Sequence, residues 1–188
     1  MVCIDDGHAV PNSLDDVSAL VFMGGSMSVN DSAPWLADEI DLIQRAHKAN
    51  VPMLGICLGS QLLSKALGGK VSKGDNGQEI GWHSLTRCVA AESIAGLEDL
   101  AKQSIAFHWH GDTFSLPPSA ELILSSDCYP HQAYVSGKTL AMQFHPEVTA
   151  EMVQEWTRLY TDDLAQGGNC NQTQDEIISD LDTRIPAL

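Results

Sequence analysis

The stretch Gly55-Ile56-Cys57-Leu58-Gly59 sets a cysteine between two glycines, after one apolar run and before a helix-like one. A turn of this kind lifts a nucleophile above the edge of a sheet, and small residues on both sides let strand and helix close around strained backbone. The helix that follows would aim free N–H groups and its positive end at the sulfur. That favours the thiolate and offers the Leu58 amide to a developing oxyanion. A thiolate nucleophile needs a base, and the base needs an orienting partner. Of seven histidines, His145 closes the apolar run Leu140–Phe144 and precedes Pro146-Glu147. Proline holds the residue before it extended, and Glu147 is then near enough to accept from the His145 ring. His110, at the end of another strand-like run, is the rival base. A second oxyanion donor would come from Phe22-Met23-Gly24-Gly25-Ser26-Met27, where paired glycines follow a strand-like run. Gln61 lies four residues past Cys57 on the expected helix, so its amide can face the same pocket.

These groups need a scaffold that delivers them to one edge. Apolar runs at Val17–Met23 and Val51–Ile56 read as buried strands, each ending at a glycine-bearing turn. Pro34 opens a helix with Leu36, Ile40, Ile43 and His47 at helical spacing, and Leu58–Leu67 forms another that stops at Gly68-Gly69. Residues 79–89, 104–110, 122–124, 132–135 and 139–144 supply further strands. Thr149 should cap a helix running to about residue 165, with Glu151 in its first turn. A polar loop and a short acidic helix around Gln174–Asp182 complete the chain. Alternation of this kind predicts a single α/β domain over 1–188, with 166–188 as a C-terminal loop and short helix. The expected arrangement is a three-layer sandwich on a mostly parallel, doubly wound sheet, flavodoxin-like, with Cys57 and His145 at the carboxyl ends of their strands.

Composition narrows the partners. The 188 residues carry a formal net charge of −15, which gives the chain no electrostatic reason to bind nucleic acid or anionic lipid. No apolar tract is long enough to span a membrane, and Met1–Pro11 lacks a basic-then-apolar build, so a cytoplasmic location is expected. Five scattered cysteines, none in a C-x-x-C pair, argue against a disulfide framework and a zinc site. Neither metal nor organic cofactor is implied.

Taken in order, MGGSMSVND, GICLGSQLLSKALGG, EIGW, WHGDTFSLP and QFHPE resemble the class I (triad) glutamine amidotransferases. The likeness is greatest to freestanding proteins similar to the glutaminase domain of GMP synthase, and it covers roughly residues 1–160. It implies Cys57 as nucleophile, His145 as base and Glu147 as orienter, with the Gly25 and Leu58 amides in the oxyanion hole. Gln61 would contact the glutamyl end of the substrate, and Trp109, His110, Gly111 and Asp112 would line its pocket. The implied reaction is hydrolysis of glutamine or another γ-glutamyl amide through a cysteine thioester, with ammonia passed to a synthetase partner.

Two departures from the family pattern matter. Trp109 stands where many glutaminase domains have a small polar residue, which suits either a larger γ-glutamyl amide or simple packing. A γ-glutamyl peptidase acting on glutathione-like or γ-glutamylamine substrates is therefore the alternative enzyme. The family's first strand–helix unit has no counterpart before Met1, and Val2–Ile4 resembles its second strand. Loss of an inner strand would leave neighbours unpaired, so either further upstream sequence or a second copy, as in a homodimer, is expected to fill the gap. A non-catalytic binding module on the same fold is the reading from a different class.

Overall fold

The computed structural model describes residues 1–4, 6–88 and 105–187. Val89 and Ser104, the ends of two expected strands, lie outside the described residues. In chain order the elements are β1 (Leu20–Phe22), α1 (Pro34–Lys48), β2 (Met53–Ile56), α2 (Leu58–Ala66), β3 (Val71–Lys73) and β4 (Glu79–Arg87). They continue with β5 (Ile105–His110), β6 (Asp112–Phe114), β7 (Glu121–Ser126), β8 (Ala133–Ser136) and β9 (Thr139–Met142). Helices α3 (Ala150–Leu159), α4 (Thr161–Gln166), α5 (Gln174–Ile178) and α6 (Leu181–Arg184) follow.

Seven strands form one sheet in the order β1-β2-β9-β8-β7-β4-β5, and β3 pairs with β6 in a small separate ladder. The α/β class stands, but the sheet is mixed where mainly parallel pairing was expected. Among the described residues only the β1–β2 and β2–β9 ladders run parallel; the other ladders are antiparallel. The reason is visible between β8 and β9, where Gly137-Lys138 alone joins Ser136 to Thr139 and Gly137 takes φ +59°. A two-residue turn can connect only antiparallel neighbours. The parallel part is the part that carries the elbow.

Helices α1 and α2 cover one face of the parallel strands, burying Phe22, Ile43, Leu62 and Leu63. Within α1 the buried set is Leu36, Leu42, Ile43 and Ala46, whereas His47 is exposed and Ile40 half-buried. A second cluster joins Ile56 of β2 to Ile123 and Leu124 of β7 and to Phe144, just past β9. A third, with Ile80, Trp82, Phe107, Val153, Ile177 and Leu181, fastens α3, α5 and α6 to β4 and β5.

Three further expectations change. Val2–Ile4 forms no strand; Gly7 turns back at φ +86° and its N–H bonds the Ile4 carbonyl. Among the described strands β1 therefore ends the sheet, with Val21 57 % exposed. The helix capped by Thr149, whose side chain accepts from Met152 N, stops at Leu159, and α4 restarts after Tyr160 at φ −103°, ψ 45°. Lastly, Cys128 and Cys170 form a disulfide, contrary to expectation from their scatter. Chain return explains it: Ile80 N donates to the Cys170 carbonyl at 2.9 Å, and Gln172 N to Ile80 O at 2.9 Å. That strap beside β4 brings Cys170 against the turn holding Cys128. No described helix is long and apolar enough to cross a membrane.

Candidate active site

Cys57 sits between β2 and α2 with φ 50° and ψ −108°, a conformation that costs a non-glycine residue about 1–3 kcal/mol. Neighbouring bonds hold it there. Its N–H donates to the Met142 carbonyl at 2.9 Å, and its carbonyl accepts from Ser60 N at 3.0 Å and Ser60 Oγ at 2.7 Å. The flanking glycines have no room for a side chain. A Cβ on Gly55 would lie 2.6 Å from the Gly59 carbonyl oxygen, and one on Gly59 would overlap the Phe22 carbonyl. The G-x-C-x-G spacing thus reflects β1, β2 and α2 pressed together beneath the sulfur, with the N-terminus of α2 directed at it.

His145 follows β9, its N–H bonded to the Phe107 carbonyl at 2.8 Å. The Cys57 sulfur lies to one side of its ring, near enough to raise the ring's pKa. On the other, Nδ1 lies 2.7 Å from Glu147 Oε1. Burial works against a charged ring, but the Cys57 sulfur and the Glu147 carboxylate outweigh it and lift the His145 pKa to about 10. A ring held in its charged form beside a sulfur is the setting in which a cysteine can serve as nucleophile. Trp156 meets the His145 ring edge-on at 4.9 Å and fixes its plane.

The glycine loop lies where the sequence put it. A Cβ on Gly24 would stand 3.1 Å from His145 Cε1 and 3.6 Å from Cys57 Cβ, and one on Gly25 would stand 2.8 Å from Leu58 Cδ2. Gly25 and Leu58 are therefore neighbours beside the sulfur. Gln61 is buried and donates to the Asp112 carbonyl at 3.1 Å and to Gln143 Oε1 at 3.2 Å. Asp112 itself accepts from Ser28 Oγ at 2.6 Å, while Gly111 meets Gln78. The Trp109 carbonyl lies 3.8 Å from Cys57 Sγ, and its indole Nε1 donates to Asp163 Oδ2 at 3.0 Å.

His110 is not placed to act as the rival base. Its Nδ1 meets the Asp112 carbonyl at 3.0 Å and its Nε2 meets Glu79 Oε2 at 2.9 Å, so both nitrogens are engaged away from the sulfur. Glu79, fully buried, also accepts from Gln132 Nε2 at 2.6 Å and Ser126 Oγ at 2.6 Å. Glu79, His108 and His110 are close enough to share a metal ion. The short bonds from His110 and Gln132 already occupy Glu79 Oε2, so the cluster works as a hydrogen-bond hub behind the site. The other such group includes Cys128, whose sulfur is committed to the disulfide.

The Cys57, His145 and Glu147 set, the glycine loop, Gln61 and the 109–112 segment, His110 included, border one cleft of about 540 Å³, whereas Glu79 and His108 lie outside it. Five of its residues escaped the sequence reading: Gln78, Met152, Trp156, Tyr160 and Asp163. Trp156 had a usable signal, since an aromatic on the helix just after a base can pack against it; the others had none.

Comparison with known proteins agrees with this geometry. Residues 4–157 match the family described as glutamine amidotransferase class-I. The chain is 27% identical to gamma-glutamyl peptidase 4 of Arabidopsis thaliana, over 80% of this chain and 61% of that protein. It is 33% identical to a glutamine-hydrolysing GMP synthase of Porphyromonas gingivalis, over 75% of this chain but 27% of that protein. The chain thus spans less than two thirds of these curated relatives. A crystal structure of a glutamine amidotransferase from Methylobacillus flagellatus superposes with a TM-score of 0.88 at 36% identity, covering 97% of this chain and 76% of that one. On sequence and structure together, the chain belongs to the class I glutamine amidotransferase family.

Proposed function

We propose that the protein hydrolyses a γ-glutamyl amide through a thioester on Cys57. The observation that carries this reading is the linked set of strained Cys57, His145 on its sulfur and Glu147 at 2.7 Å from the ring. The Cys57 thiolate attacks the γ-carbonyl carbon, and the oxyanion forms against the Gly25 and Leu58 amides. His145 gives its proton to the leaving nitrogen, the C–N bond breaks, and ammonia or an amine departs. A water, losing its proton to His145, then attacks the thioester and releases glutamate, restoring the thiolate. Gln61 and the 109–112 segment hold the glutamyl end.

The relatives named above include a gamma-glutamyl peptidase and a synthase that hydrolyses glutamine. In the second setting the ammonia would pass to a synthetase partner. Trp109 in the cleft favours the first, because its indole narrows the site around a larger amide.

Glutamine and a panel of γ-glutamyl amides, followed by mass spectrometry of free glutamate and released amine, test the proposal. The wild type should release both products, and Cys57→Ala none. A glutamine-mimicking electrophile should label Cys57 ahead of the free cysteines Cys3 and Cys88. Turnover surviving in Cys57→Ala, or labelling of Cys88 with Cys57 untouched, would overturn it.

A further inference from the structure

The cleft is chemically lopsided around the scissile bond. The nitrogen that leaves must receive its proton from His145, so the leaving group lies against that ring. From His145 an aromatic wall runs outward: Trp156 at 4.9 Å from the ring, Trp109 at 6.2 Å from Trp156, and Tyr160 at 5.9 Å from Trp109. The wall ends on Asp163, which Trp109 Nε1 pins at 3.0 Å and Gln78 Nε2 pins at 2.9 Å. Ammonia, the group that glutamine releases, has no use for such a surface.

Charge narrows the choice further. Among the described residues, those bordering the cleft include the carboxylates Asp112, Glu147 and Asp163 but no lysine or arginine. Glu147 is set against His145, whereas Asp112 and Asp163 meet neutral donors, Ser28 for the first and Trp109 and Gln78 for the second, and Asp163 stands at the outer end of the wall. An anionic leaving group would find no cation there. An ammonium would find both a carboxylate and aromatic faces, the pairing that attracts cations most strongly in a partly dry site.

Resting on the proposed hydrolase reading, we infer that the preferred substrates are γ-glutamyl amides of amines that carry a second, positively charged amino group. Hydrolysis would break the γ-glutamyl C–N bond with one water and release glutamate and a free diamine.

Three substrates of similar chain length separate the cases: the γ-glutamyl amides of pentylamine, 1,4-diaminobutane and 4-aminobutyrate. The cationic amide should exceed the neutral one in kcat/KM by roughly 3- to 30-fold, from one rim ion pair and one cation–π contact. The anionic amide should be the poorest, and added salt should shrink the spread. Asp163→Asn should bring the cationic and neutral amides together; because this is a ratio within one variant, partial loss of folded protein does not affect it. Equal rates across the series, a preference for the anionic amide, or an unchanged ratio in Asp163→Asn would overturn the inference. No turnover of any amide, glutamine included, would overturn the hydrolase reading beneath it.

Discussion

Glu147→Gln removes a charge while keeping the side chain's shape, and so asks what the carboxylate contributes. Its Oε1 lies 2.7 Å from His145 Nδ1, and its Oε2 is buried without a hydrogen-bond partner among the described residues. The carboxylate is thus invested in one charge-assisted bond, a type that contributes about 1.5–3 kcal/mol. At roughly 1.36 kcal/mol per factor of ten, turnover should fall about 10- to 150-fold. The side chain is 24 % exposed, so solvent screening favours the lower part of that range. The pH profile should move as well. In the proposed mechanism His145, its pKa lifted to about 10, supplies the leaving group's proton, so activity should be lost as pH rises through that value. Without the carboxylate one of the influences lifting the ring is gone, so the alkaline limb of kcat/KM should shift to lower pH. The assay is kcat/KM on one γ-glutamyl amide across the neutral-to-alkaline range. A variant with full turnover and an unmoved alkaline limb would refute the orienting role and leave at most a cysteine–histidine dyad.

Two stability predictions follow from buried features. Cys170→Ser opens a cross-link spanning a sequence separation of 42, which chain entropy values at about 4 kcal/mol. Urea unfolding should show that loss, and a wild-type midpoint indifferent to reductant would contradict it. Glu79→Gln breaks a fully buried carboxylate out of its bonds with His110, Gln132 and Ser126, and should cost about 3–5 kcal/mol in the same assay. Burial pushes the Glu79 pKa up, but its histidine partners win and hold it well below the ordinary 4.5. The stability it gives is therefore present above 4.5 and lost as pH falls further, so acid sensitivity in that window should diminish in the variant.

What could be read from sequence was local. The elbow is legible because Gly55 and Gly59 have no space for a Cβ, so the requirement is written within five residues of Cys57. His145 and Glu147 are legible because two positions separate the ring from its acceptor. The mixed sheet was foreshadowed by Gly137-Lys138, a turn signal that the regular alternation of elements overshadowed. The rest depends on contacts made late in the chain. The bonds of Gln172 to Trp82 and of Asp163 to Trp109 join positions far apart, and neither partner's neighbours hint at the other. Strands β3 and β6 are three residues each and owe their existence to pairing with one another, which no periodicity can announce.

The matched family region ends at residue 157, and Cys57, His145 and Glu147 all lie inside it. Tyr160 and Asp163, which finish the cleft wall, lie beyond it, as do Cys170 and Gln172, which strap that stretch to β4. The Cys57, His145 and Glu147 set and the outermost wall residues, Tyr160 and Asp163, thereby lie on different lengths of polypeptide. A chimaera joining residues up to Trp156 with the corresponding tail of a relative would exchange the outer wall and keep the elbow. The same separation lets mutation reshape the outer rim of the cleft at Tyr160 and Asp163 while the residues around Cys57 stay unchanged.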